Sequence, residues 1–137
     1  MRGKFKQPQQ QKGADFAAPI TFSESTEQLC PVFSLRFLRR DFCISSCSEE
    51  EKVSFVDKMH KLSQLTWAQI KSTHRHGLGC EKIEKSSIKA PIPSVVTDEV
   101  TLLAFRFCGL APMVGYRDRD VFHILWFDRE FTLYPHG

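Results

Sequence analysis

The chain is predicted to fold as an α+β domain: an N-terminal strand, two helices, then a C-terminal four-stranded antiparallel meander. Three observations predict it. Residues 100–136 alternate short apolar runs with turn signals, and each gap is too short to hold a crossover helix. Two stretches open on capping boxes, Ser48-Glu49-Glu50-Glu51 and Thr66-Trp67-Ala68-Gln69. Ahead of both, Phe33, Leu35 and Phe37 alternate with Ser34 and Arg36, the two-residue period of a half-buried strand.

The first strand covers residues 32–38 and closes at Arg39, Arg40 and Asp41, with Phe42-Cys43-Ile44 as a short extension. Ser48 can accept from backbone NH groups that the first helical turn leaves unpaired, and the three glutamates after it complement the positive end of the helix dipole. Val53, Val56, Met59 and Leu62 then recur at spacings of three, with Phe55 widening the stripe. That spacing predicts an amphipathic helix ending near residue 63, with the stripe turned inward. The second box opens a shorter helix that carries Trp67 and Ile70 to the core. Residues 71–89 read as a connection, and Pro91 and Pro93 end it in an extended linker.

At 137 residues the chain is one domain, long enough to bury a core unaided. Residues 31–137 are assigned to it and residues 1–30 to a disordered or extended tail. Arg2, Lys4, Lys6 and Lys12 give residues 1–13 a charge of +4, leaving 15 basic against 16 acidic residues elsewhere. The folded part is therefore close to neutral. A tail of Gln7, Gln9, Gln10 and Gln11 among those cations buries too little to offset its ordering entropy. Weak contact with nucleic acid suits such a tail, and a solubilising role accounts for it equally well.

An apolar content of 42%, with twelve phenylalanines, belongs to a globular protein. No run approaches the length that crosses a bilayer, and the N-terminus lacks the apolar stretch of a leader, so a cytoplasmic protein with no membrane partner is expected. Cys30, Cys43, Cys47, Cys80 and Cys108 form no CxxC pair, and neither Cys43/Cys47 nor His74, His76 and Cys80 has the partner pair of a zinc site. Gly77 and Gly79 match neither a P-loop nor a dinucleotide fingerprint. No metal and no cofactor are expected.

The meander can be tested for register. A two-residue turn at Asp118-Arg119 sets Tyr116 against Val121 and Val114 against His123. A second at Asp128-Arg129 sets Trp126 against Phe131 and His123 against Tyr134, and a five-residue hairpin at Gly109 sets Arg106 against Val114. Facing residues share a side, so Arg106, Val114, His123 and Tyr134 form a row. The opposite face collects Phe105, Phe107, Met113, Phe122, Ile124, Trp126, Phe131 and Leu133, which is the better core. Arg106, His123 and Tyr134 are thus the candidate catalytic residues. For His123 a satisfied sheet histidine, and for Tyr134 an amphipathic edge residue, are the competing structural readings. Lys71, His74, Arg75, His76 and Lys82 are the candidate RNA contacts, against the simpler reading of a solvated connection.

The order of strand, two helices and terminal meander resembles RelE/ParE-type toxins of toxin–antitoxin systems, over residues 32–136 and at the level of topology. The chain is also similar to small bacterial or mobile-element proteins with a block like Arg75-His76-Gly77 and an ending like Leu133-Tyr134-Pro135-His136. The toxin resemblance implies a metal-independent endoribonuclease acting on RNA or the ribosome, with an antitoxin or other protein as partner. RNA supplies its own nucleophile, the 2′-OH, so such an enzyme needs a base, an acid and charge stabilisation. His123 would be general base or acid, Arg106 would stabilise the phosphorane, and Tyr134 would orient or stack. The alternative is a non-enzymatic protein-binding or regulatory module that uses the aromatic edge of the meander.

Overall fold

Both capping boxes close as predicted. Ser48 Oγ accepts from Glu51 N at 3.1 Å while the Glu51 carboxylate accepts from Ser48 N at 2.7 Å, and Thr66 with Gln69 does the same at 3.1 and 2.9 Å. The computed structural model describes residues 26–74 and 77–136. Its elements are β1 (Val32–Ser34), α1 (Glu49–Leu62), α2 (Trp67–Lys71), β2 (Cys80–Ile83), β3 (Leu102–Cys108), β4 (Ala111–Asp118) and β5 (Val121–Phe127). No helix among the described residues is long and apolar enough to cross a membrane.

The fold class is α+β, but the sheet differs from the expected meander. Five strands lie in the order β1-β5-β4-β3-β2, with β1 parallel to β5 and the other pairs antiparallel. Four consecutive strands, β2 to β5, are antiparallel neighbours, but the strand expected after β5 is not among them. Residues 131–136 form no strand, because the Asp128 carboxylate takes the Thr132 and Leu133 amides that a ladder would use, and Phe131 turns the chain at φ 60°. The strand beside β3 comes instead from the stretch read as a connection, with Cys80 opposite Phe105 and Ile83 opposite Leu102. β1 is also shorter than expected. Ser34 Oγ accepts from Arg36 N at 3.1 Å and Leu35 O from Leu38 N at 3.1 Å, so the chain turns after Ser34 and leaves Leu35 exposed.

The register is corrected too. The β4–β5 turn is Arg119-Asp120, which sets Asp118 opposite Val121 and Tyr116 opposite His123. Past it, Gly115 pairs with Ile124 but Val114 with Trp126, so Leu125 is an extra residue in a bulge. Gly115 is required there: a Cβ would lie 2.0 Å from the His123 carbonyl oxygen. On the other side Arg106 lies opposite Pro112, not Val114.

These shifts decide the two faces. On one, Phe55, Leu62, Trp67 and Ile70 of the helices pack on Phe105, Phe107, Met113, Phe122, Ile124 and Phe127. Edge-on ring pairs tie them: Phe55–Phe127 at 4.8 Å, Phe105–Phe122 at 5.0 Å and Phe107–Phe127 at 5.1 Å. Ser54 Oγ donates to Phe107 O at 2.8 Å and fixes the roll of α1. Phe55 and Leu62 therefore face inward, whereas Val53 and Val56 of the expected core stripe are 69% and 57% exposed. Trp126 and Leu133, expected in this core, lie on the opposite face, and Phe131 is exposed.

The opposite face holds Leu102, Ala104, Val114, Tyr116, Leu125 and Trp126 with Leu133 and Tyr134. It is roofed by irregular chain through Ile88, Ala90, Val95, Val96 and Val100, and Lys89 N donates to Leu133 O at 2.7 Å. Of the expected tail, residues 1–25 lie outside the described residues. Thr26 is buried, and Glu27 O and Leu29 O accept from the Ala68 and Trp67 amides at 3.0 and 2.9 Å.

Candidate functional site

Arg106 follows Leu102 and Ala104 in the alternation of β3, so it points to the roofed face and is 8% exposed. Its guanidinium donates to Leu110 O at 2.9 Å and to Glu81 Oε1 at 2.5 Å. One buried cation thus ties the β3–β4 turn to β2, and it already has a counter-charge. The Tyr134 ring is packed in beside it. Burial pushes the Tyr134 phenol up, while the adjacent Arg106 opposes that, and the hydroxyl has no hydrogen bond of good geometry.

His123 shares the face but not the neighbourhood. It stacks on Tyr116 (centroids 4.9 Å, planes 27° apart), with Phe37 at 5.2 Å. Its Nδ1 is buried without a hydrogen-bond partner. Burial pushes the imidazole below its ordinary 6.5, with Asp118 opposing and Arg36 reinforcing that shift. Arg106 sits opposite Pro112 and His123 opposite Tyr116, four residues along β4. At about 3.3 Å per residue that is roughly 13 Å along the strand. The expected row is therefore split, and the face that carries it is covered.

Beside Tyr134 the structure places two residues that the sequence reading did not single out. Asp128 is wholly buried, and its carboxylate accepts from Thr132 N at 2.8 Å and Leu133 N at 3.0 Å. The same carboxylate lies 3.0 Å from His136 Nε2. The His136 ring packs 4.1 Å from the Tyr134 ring and edge-on to Phe131 at 5.1 Å. With Nε2–H donated to Asp128, Nδ1 is left as the basic nitrogen, an arrangement suited to moving a proton. Arg106 and Tyr134 are thus grouped with Asp128 and His136, not with His123. The signal available in sequence was an acid at the end of an apolar strand with a histidine eight residues on. Asp128-Arg129 also reads as a turn, which hid it.

The expected RNA contacts are dispersed. Lys71 is held by Glu27 at 2.9 Å, which also takes Arg117 at 2.7 Å. These cations hold the Glu27 carboxyl below its usual range. His74 and Lys82 are exposed, and Arg75 and His76 lie outside the described residues. Lys58 Nζ donates to Gly77 O at 2.9 Å, and burial pushes that amine down. Among the described residues no group of three or more His, Cys, Asp or Glu side chains is placed to hold a metal ion.

A cleft of about 500 Å³ opens between the turn at residues 40–42 and the chain at 127–132. Arg40, Asp41, Arg129 and Glu130 line it, with Phe42 and Phe127 as its apolar part. Arg129 donates to Glu51 Oε1 at 2.8 Å, which ties this wall to the cap of α1 and holds the Glu51 carboxyl down. No protein-family model, curated protein or solved structure matches the chain.

Proposed function

We propose that the protein is a non-enzymatic protein-binding module that takes a polypeptide at the cleft between residues 40–42 and 127–132. The charge of the cleft wall carries this reading: two arginines are matched by two acids, Asp41 and Glu130, around the half-buried side chain of Phe42. A polyanion such as RNA needs an excess of cations, because its affinity comes from neutralised phosphates. A wall of both signs around one partly exposed ring instead suits a polypeptide, whose own charges can alternate and whose apolar side chains can be covered. The pairing of Arg106 with Glu81 and the packing of His123 between Tyr116 and Phe37 support structural duties for both residues.

One observation favours a second reading, metal-independent RNA cleavage. Asp128, wholly buried, orients His136, whose ring packs on Tyr134 beside Arg106. In that reading His136, not His123, takes the 2′-OH proton as the 2′-oxygen bonds to phosphorus, Arg106 offsets the developing phosphorane charge, and the 5′-oxygen leaves as the P–O5′ bond breaks, taking a proton from water.

One pair of measurements separates the two. A protein partner retained by the native chain, and lost with Arg40→Glu and Glu130→Arg at unchanged melting temperature, supports the binding module. Cleavage of RNA by the purified protein, abolished in folded His136→Ala, overturns it in favour of the enzyme.

A further inference from the structure

Val53 and Val56 are the most exposed large apolar side chains of α1, at 69% and 57%. With Lys52, Asp57 and His60 they line a shallow, largely apolar recess on the outer side of the helix. Residues 49, 53, 56 and 60 follow one another at steps of four, three and four, which is the spacing of a seam between paired helices. Read along that seam, the chemistry is acid, valine, valine, base: Glu49, Val53, Val56, His60.

We propose that this stripe is a homodimer interface, on which α1 of a second copy of the chain packs antiparallel about a two-fold axis. The axis passes level with the point midway between Val53 and Val56, so residues equidistant from that point meet. Val53 then packs on Val56 of the second copy, and Glu49 meets its His60, each contact made twice. Glu50 lies level with the Asp57–Lys61 pair of the second copy, which is already bridged at 3.2 Å. The Lys52 stem lies over Val56 and Met59 of the second copy, its ammonium in water. The antiparallel sense also sets the positive end of each helix dipole against the negative end of the other.

A parallel pairing fits less well. It would place Lys52 near Asp57 of the second copy, but would set Glu49 against Glu49 and bring the three first-turn glutamates of both helices together. α1 is about 21 Å long, so the interface is small and the association weak, visible at high protein concentration.

Sedimentation of the full chain over a wide concentration series tests this. The native protein should shift from monomer to dimer. Val56→Glu should weaken association by at least about tenfold with the melting temperature unchanged, since the side chain is exposed in the monomer. Glu49→Lys should weaken it too, and Glu49→Lys with His60→Glu should restore it. For orientation, a mixture of Val53→Cys and Val56→Cys chains should give an oxidised heterodimer absent from either variant alone and from the native chain. A monomer at every concentration, or charge reversal without effect, overturns the proposal. Cross-linking of Val53→Cys with itself overturns the antiparallel sense.

Discussion

A single buried carboxylate organises the C-terminal segment. Asp128 satisfies two backbone amides and holds His136, in a place where water cannot substitute for it. Asp128→Ala should therefore cost about 2–4 kcal/mol, because buried donors lose their acceptor. Asp128→Asn, which keeps an oxygen, should cost less, and urea midpoints of both variants check the order. His123 makes a separate prediction. Its charged form is disfavoured in the folded protein, so the unfolded chain takes up the proton first as the pH falls. Its contribution to stability is complete above its ordinary 6.5 and is lost as the pH falls through that value toward the lowered native one. His123→Phe, which keeps a ring against Tyr116 and Phe37, should flatten this part of the stability–pH curve. Urea midpoints at about pH 7.5 and 5.5 for both proteins measure the difference. An identical pH dependence in both would show that the shift is absent.

At the scale of elements, what was legible depended on how far apart the deciding groups lie in sequence. The boxes at Ser48 and Thr66 each involve partners three residues apart, so the sequence alone specifies them. Ser48→Ala should destabilise by about 1 kcal/mol in a denaturant titration. The inward face of α1 was harder. Periodicity put Val53 and Val56 with Met59 and Leu62, but Phe55 outcompetes them, and the Ser54–Phe107 bond fixes the rotation. That choice is made by β3, more than forty residues away. β2 carries Cys80-Glu81-Lys82-Ile83, whose charges conceal a strand, although charged residues are usual on a sheet edge. The candidate site was legible only in part. Arg106 and Tyr134 meet, but the bulge at Leu125 and the turn at Arg119-Asp120 moved His123 away. No local feature of residues 119–126 announces a one-residue slip, and a slip of that size changes every facing pair beyond it.

Over the whole molecule, a sheet with two apolar faces has to be covered twice. The helices cover one face, and irregular chain with the C-terminal segment covers the other. This makes the last nine described residues structural and gives a clean contrast between two side chains. In the strand expected after β5, Phe131 and Leu133, two apart, would share a face and be buried alike. In the observed turn Leu133 is wholly buried, against Tyr134, Trp126 and the chain at Lys89, while Phe131 is 44% exposed. Leu133→Ala should therefore cost about 2–5 kcal/mol, through lost burial and the cavity left behind. Phe131→Ala should cost much less, since it forfeits mainly the edge-on contact with His136. Comparing the two denaturation midpoints decides between the structures. Equal losses would mean that residues 131–133 form a strand and that the roof over Arg106 and Tyr134 is built differently.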